Sequence, residues 1–281
     1  MLTSGRKGPL FMVAASLCWS LGGLCIKFIP WNAVSIIGLR AVLAVVVFGI
    51  FRRSLKVSFT RGNILSALCL SGTNILFVFA NQLTTAAAAI LLQFSAPIFI
   101  LLIELVFNHK KPKPSEILAV FATLLGMLLF FADRLDAGHF LGNLLAIGSG
   151  LAFAGVFVGN KRPDTDPDQS IMLGFLVNTV VFIPFCFFDP SISADPVAWG
   201  FVALLGLVQV GLAYVFFSFG IKRTPALLAC LITAMEPVLN PVWVALATPE
   251  RPGRFALAGG AVILVTVVCY NIWVERRKMR M

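Results

Sequence analysis

Charge is what this chain has least of: 12% of its 281 residues are Asp, Glu, Lys or Arg, against 59% hydrophobic residues. A water-soluble domain of this length needs a polar skin, and there is too little polar sequence here to make one. Metal and redox scaffolds are also missing. The chain has two histidines, His109 and His139, and its six cysteines contain no CxxC pair. HExxH, GxSxG and a phosphate-binding loop are all absent. The expectation is a protein that is not an enzyme, uses no cofactor and no metal, and does not pump with ATP by itself. Lys161 to Asp168 carries the aspartates of a calcium loop but also two prolines and no downstream Glu, so it reads as a solvated linker. No small-residue cleavage site follows the first apolar run, so the N-terminal segment reads as a retained first helix.

Apolar stretches of about twenty residues, each long enough to cross a bilayer as a helix, fill the chain instead. Ten are expected: Pro9–Ile29, Trp31–Phe51, Gly62–Gln82, Thr85–Phe107, Pro114–Ala132, Phe140–Asn160, Ser170–Phe188, Val197–Gly220, Pro225–Ala247 and Phe255–Val274. Backbone groups in lipid must pair internally, which favours helices. A barrel needs short alternating strands, and these segments are apolar on every face. Cys18, Cys25, Cys69, Cys186, Cys230 and Cys269 all fall in them and read as small apolar residues.

The net charge of +10 suggests nucleic acid only until the charges are placed. With the first span starting inside, seventeen of the twenty-two basic residues face the cytoplasm. Arg134, Arg251 and Arg254 face the other side, and Lys27 and Arg40 fall inside spans. This bias places both termini in the cytoplasm and sets basic loops against anionic lipid headgroups. No solvated basic domain exists for a nucleic acid to bind. His109 and His139 fall on opposite faces and cannot share a metal.

The stretch Thr84 to Pro112 recurs in register as Thr224 to Pro252, with a mid-span proline in each copy (Pro97, Pro237) and a charged turn ending in Pro. The repeat boundary lies near Ala132–Phe140, after five spans. Two tandem copies of an odd-span unit must cross the membrane in opposite directions. The expected fold is therefore all-α and integral to the membrane: ten transmembrane helices as two inverted five-helix repeats, residues 1–134 and 135–281.

The second half carries Ala213-Tyr214 in a Gly-rich span, a basic turn (Lys222-Arg223), Glu236-Pro237-Val238 and Pro249-Glu250-Arg251. The first half carries Trp19-Ser20, Leu39-Arg40 and Ser95-Ala96-Pro97. These runs resemble the EamA-type repeat of the drug/metabolite transporter superfamily, with Lys110 where the first-half turn usually has Glu. The resemblance implies ten helices, alternating access and a cavity lined by spans one, three, four, six, eight and nine. Members move amino acids, nucleotide sugars, sugar phosphates and other metabolites, so it does not fix the solute.

An ionisable group at the bilayer centre costs about 2.5–3.5 kcal/mol on insertion scales and needs a reason. Glu236 lies roughly 16 Å into the ninth span, and Arg40 is also deep in the second. Lys27 and Glu104 lie near span ends, where snorkelling explains them. Glu236 precedes Pro237, which biases its backbone away from α geometry and frees a carbonyl nearby. A carboxylate there suits a cation, a proton or a substrate ammonium; it equally suits a structural partner for Arg40. Gln93 and Thr233 occupy equivalent positions, four residues before each proline. Asn74, Asn178, Gln209, Tyr214, Ser218 and Asn240 are also intramembrane polar groups, for packing or for a cavity. Trp19 and Tyr214 are candidates to stack a planar or ammonium-bearing solute.

The substrate-binding candidates are thus Trp19, Gln93, Tyr214, Thr233 and Glu236. The structural or coupling candidates are Arg40, Asn74, Pro97 and Pro237. Gly22-Gly23, Gly148-Ser149-Gly150 and the Gly155/Gly159 pair permit close helix contacts. The expected function is secondary transport of a small polar metabolite, an amino acid or a relative, outward on the resemblance, across the inner or plasma membrane, with proton or cation coupling at Glu236. A lipid-carrier flippase of the same fold is the alternative, and the oligomeric state is not readable.

Overall fold

The computed structural model describes residues 4–22, 25, 28–84, 86–132, 140–239, 243 and 253–278. Among them every regular element is helical. In chain order these are α1 (Ser4–Trp19), α2 (Ala33–Arg52), α3 (Arg61–Leu83), α4 (Ala86–Gln93), α5 (Ala96–Phe107), α6 (Pro114–Phe130), α7 (Phe140–Gly159), α8 (Pro167–Cys186) and α9 (Pro196–Leu204). A π-helical segment (Leu205–Leu212), α10 (Ala213–Arg223), α11 (Ala226–Thr233) and α12 (Arg254–Lys278) follow. Among the described residues seven helical runs are long and apolar enough to cross a membrane, and Pro114–Phe130 and Ala226–Leu239 are shorter apolar helices. This is a multi-pass membrane protein.

Helix starts follow from local chemistry. Asn32, Thr60, Asp166 and Asp195 each accept a hydrogen bond from the first turn of the helix they precede, α2, α3, α8 and α9. These side chains satisfy amide donors that a helix cannot satisfy itself. Packing runs along four long contacts: α3 on α7, α2 on α8, α6 on α12 and α1 on α10. Large apolar side chains such as Val106, Phe121, Val180, Phe188 and Val265 point outward, as a lipid solvent requires.

Four expected spans are not uniform helices. The first stops at Trp19 and turns at Ser20–Leu21. There the Ser20 hydroxyl donates to Leu17 O at 2.7 Å, competing with the helical ladder. The fourth breaks at Phe94–Ser95 and the ninth at Ala234, and the eighth contains the π segment. The Gly155/Gly159 pair is used inside the molecule. A Cβ at Gly155 would lie 2.5 Å from the Cys69 sulfur, and one at Gly159 would collide with the Ser66 hydroxyl, so both glycines let α7 lie close on α3.

Candidate functional site

Proline chemistry builds the centre of the molecule. Pro97 and Pro237 have no amide hydrogen, so neither Gln93 O nor Thr233 O receives its helical bond, and each ring crowds that carbonyl. Both helices accordingly end at those residues, α4 at Gln93 and α11 at Thr233. Glu236 itself lies in a helical turn, so the break falls two residues before the position expected from its proline neighbour. The i−4 carbonyl clash, acting a full turn upstream, outweighs the restraint on the preceding residue. The exposed ends are partly satisfied. Ser95 Oγ donates to Leu92 O at 2.6 Å and Ser16 Oγ to Ile232 O at 3.4 Å. Gly150 of α7 lies against the freed Gln93 O, which would be 2.7 Å from any Cβ there.

Arg40, Asn74, Tyr214 and Glu236, far apart in sequence, converge beside these breaks. Arg40 Nη2 donates to Asn74 Oδ1 at 3.0 Å, and Asn74 Nδ2 donates to Leu70 O at 2.9 Å, which fixes the amide's orientation. Arg40 lies within electrostatic range of both Tyr214 and Glu236. Arg40 and Glu236 are each half-buried, so neither is sealed in the core. Ion pairs among the described residues include Lys110–Glu104, Arg162–Asp164 and Lys222 with Asp166 and Asp168. Arg40 and Glu236 are a cation and a carboxylate in one intramembrane region that do not close into such a pair.

An aromatic wall backs this charged centre. The Trp19 ring packs edge-on against Tyr214 with centroids 5.1 Å apart, and Tyr214 meets Phe175 at 5.2 Å and Phe217 at 5.6 Å. Trp19 and Tyr214 are buried. Gln93 is half-buried and donates from Nε2 to Ser149 Oγ at 2.8 Å, and Ser149 Oγ donates to Thr73 O at 3.1 Å. Its repeat equivalent differs. Thr233 is fully buried and donates to Cys230 O of its own helix at 2.6 Å. Asn178 accepts from Ser71 Oγ at 2.6 Å, and Ser218 donates to Val215 O. Pro97 and Pro237 are buried at the starts of the second helical pieces. Lys27, Gly23, Asn240, Arg134, His139 and the Pro249-Glu250-Arg251 turn lie outside the described residues. Among the described residues no His, Cys, Asp or Glu group is arranged to hold a metal ion.

The stretch expected to be a solvated linker joins α7 to α8 with Arg162, Pro163 and Asp164 exposed, and its polar groups also clasp the start of α3. Asp164 accepts from Gly62 N at 2.9 Å and from Arg162 Nε at 3.1 Å, and Thr60 Oγ1 donates to Asp164 O at 2.7 Å. Asp166 N donates to Asn63 Oδ1 at 2.8 Å, and Lys222 Nζ meets Asp168 Oδ2 at 2.7 Å. The unpaired amides at the start of α3 attract the Asp164 carboxylate, while the Asp166 carboxylate accepts from Asp168 N at the start of α8. A second clasp joins the other ends of α2 and α8. Asp189 accepts from the Ser35 and Ser191 hydroxyls, each at 2.6 Å.

Broken helices and an unpaired charged centre inside a bundle of membrane helices are the build of a transporter. The model of the EamA-like transporter family matches the sequence over residues 6–132 and again over 140–272. The chain belongs to that family, whose relatives are of the drug/metabolite transporter type. The threonine/homoserine exporter RhtA of Salmonella typhimurium is 24% identical over 258 residues, 85% of this chain and 84% of the exporter. The aromatic amino acid exporter YddG of Ancylobacter novellus is 24% identical over 207 residues, 69% of this chain and 72% of the exporter. YwfM of Bacillus subtilis, an uncharacterized transporter, is 28% identical over 182 residues, 62% of this chain and 60% of YwfM. One crystal structure matches with a TM-score of 0.80 at 20% identity, covering 96% of this chain and 98% of that one, and this likeness speaks for the fold alone.

Proposed function

We propose that this chain is a secondary transporter that exports a small zwitterionic metabolite, an amino acid or a close relative, across the inner or plasma membrane by alternating access. The observation that carries the reading is Arg40 and Glu236: opposite charges, deep in the bundle, near one another and unpaired. In a low-dielectric interior such charges attract strongly, and a ligand carrying both signs would satisfy both of them. A carboxylate suits the planar fork of Arg40, which Asn74 holds in place. An ammonium suits Glu236. Trp19 and Tyr214 form the wall against which the rest of the solute lies, with Gln93 nearby. Thr233 contributes by supporting the broken helix.

The architecture of this reading is ten membrane helices in two inverted repeats, residues 1–134 and 135–281, with both termini cytoplasmic and the basic loops on anionic lipid. Its support is a set of helix contacts that exchange in pairs when the halves are exchanged. The α3–α7 contact has its counterpart in α1–α10, and α3–α8 in α2 with the π segment. The α4–α7 contact corresponds to α1–α11, while α2–α8, α6–α12 and α5–α11 map onto themselves. Local detail agrees. Gly142 of α7 abuts Leu83 and Thr84, and Gly8 of α1 abuts Arg223 and Thr224, the repeat equivalents. The two successive family matches fit the same division. The exporter names of RhtA and YddG support the solute class and the direction.

A second reading, a flippase for a lipid-linked solute, has one observation in its favour. A cleft of about 300 Å³ lies between α2, α3 and α8, lined by Ser35, Phe79, Phe182, Phe185, Phe188 and Asp189. Phe185 and Phe188 are exposed on the lipid face. Uptake by proteoliposomes separates the two. The first reading expects saturable transport of free amino acids that an unlabelled amino acid on the opposite side accelerates. It expects loss with Glu236→Gln and Arg40→Gln. Transport of no free metabolite, with movement of a lipid-linked one, would replace it.

A further inference from the structure

Besides the proline breaks shared by both halves, two matched helix contacts differ in regularity. In the α3–α7 pair, α3 runs unbroken for 23 residues and α7 for 20. In the counterpart pair, α1 stops at Trp19 and its partner contains the π segment Leu205–Leu212. The two distortions touch. Gln209, inside the π segment, donates from Nε2 to Trp19 O at 3.3 Å, the last carbonyl of α1. A Cβ at Gly22, just past the break, would stand 3.0 Å from that nitrogen. Trp243 Nε1 holds the turn from another side, donating to Ser20 Oγ at 2.7 Å. Gln209 is about nine-tenths buried, and its amide oxygen has no hydrogen-bond partner.

Each of these features is unfavourable alone. A π turn has poorer geometry than the α turn it replaces and concentrates at functional positions. A buried amide oxygen without a donor is expensive in a dry interior. Their coincidence marks an arrangement with a competing alternative. If the π segment rewinds to α, everything beyond it rotates by about 100° and slides about 1.5 Å, one residue's step. Tyr214 stands two residues beyond the segment and carries the ring that packs on Trp19. Rewinding would therefore part the Trp19–Tyr214 contact and withdraw Gln209 from the broken end of α1.

We propose that α1 and the π segment are a two-state gate and that Gln209 is the positioning residue that latches it, acting on the solute through Trp19. The proposal rests on the alternating-access reading above for its meaning, but not for its test. Gly206 and Gly211 let the segment widen while lying close on α2, where a Cβ at either would meet Leu43 or Val47 at 2.5 to 2.8 Å.

The experiment uses the full chain in nanodiscs, with the six native cysteines replaced and spin labels at Leu17→Cys and Leu212→Cys, both lipid-facing. Distance distributions, thermal stability and amino acid exchange are measured for the parent, for Gln209→Leu and for a deletion of Leu207. Gln209→Leu keeps the volume and removes both the latch and the orphaned oxygen. The expected result is a second distance population grown at least threefold, a turnover altered at least threefold with little change in KM, and a melting temperature not lowered. Gln209→Asn, with the amide retained, is expected to recover part of the parental distribution. The deletion removes the extra residue of the π turn, so the segment becomes α-helical with the helix beyond it still in its parental phase; it is expected to hold the parental distance alone and to stop exchange. Parental distances and turnover in Gln209→Leu would overturn the proposal, as would a lowered melting temperature with unchanged distances. A parent that shifts distances on loss of the latch but exchanges no amino acid would count against the solute reading and leave the gate standing.

Discussion

Arg40 of α2 donates a hydrogen bond to Asn74 of α3 across 3.0 Å, and Asn74 is itself tied to the Leu70 carbonyl. One guanidinium nitrogen is thereby anchored and the rest of the fork is directed by it. A hydrogen bond to a charged group is worth about 1.5–3 kcal/mol, so losing the fork should lower transport roughly ten- to hundredfold. Arg40→Lys should fail nearly as badly as Arg40→Gln, because a point charge cannot reproduce planar two-pronged contact. Asn74→Ala should raise KM by leaving Arg40 unsteered. Initial rates in proteoliposomes over a range of amino acid concentrations check all three.

Close backbone contact makes a stability prediction. A Cβ at Gly259 would collide with Phe130 N and stand 2.5 Å from Gly126 O, where α12 crosses α6. Gly259→Ala should destabilise the detergent-solubilised protein by about 1–3 kcal/mol, since backbone cannot give way as a flexible side chain can. Gly200→Ala should be neutral or slightly stabilising. Nothing lies within 4 Å of its Cβ, and alanine is the better helix former. Thermal melts of the two variants side by side decide this.

The two clasps predict the acid limb of stability. The Arg162 hydrogen bond, chief among several, holds the Asp164 carboxyl below its ordinary range. The Ser191 and then Ser35 hydroxyls do the same for Asp189. A depressed folded pKa contributes stability above the unfolded value, about 3.9 for Asp, and loses it as pH falls through the folded value. Melting temperature should therefore drop below about pH 4. The Asp164→Asn/Asp189→Asn double variant should show a shallower drop and a lower plateau at neutral pH.

Ser149 supports Gln93 from the opposite half at 2.8 Å. Ser149→Ala should leave the Gln93 amide short of a partner and cost about 1–3 kcal/mol of stability. The Ser149→Thr variant, which keeps the hydroxyl, should recover much of it if Gly150 and the freed Gln93 carbonyl leave space. Melting curves of both variants provide the check.

Much of this was written locally in the chain. The prolines at 97 and 237 announce broken helices because a missing amide and a crowded carbonyl act within one turn. Asn32, Thr60, Asp166 and Asp195 announce helix starts for the same local reason. The charged centre was half legible. Arg40 and Glu236 stand out because bare charges are rare in apolar runs, but their meeting with Asn74 depends on packing between distant spans. The segment 161–168 is the exposed linker its composition announces, but its hold on α3 was not legible, because Asp164 meets Gly62 about a hundred residues upstream. The π segment was invisible. Its eight residues read as one more apolar helix, and only the neighbouring bare face of Gly206 and Gly211 hints that the backbone could widen there. Thr233 shows the limit of repeat logic: it matches Gln93 in position, yet its short hydroxyl reaches only its own helix.

The most direct measurement is sidedness at equivalent positions of the repeat. Lys111 and Arg251 occupy the same place in the two copies, 140 residues apart in the sequence. Lys111→Cys and Arg251→Cys, each in a background without other cysteines, are treated with a membrane-impermeant thiol reagent in intact cells and in inverted vesicles. An antiparallel pair of halves requires Arg251→Cys to react in cells alone and Lys111→Cys in inverted vesicles alone. Reaction of both from the same side would mean that the halves run parallel, and no gate built on their exchange could operate.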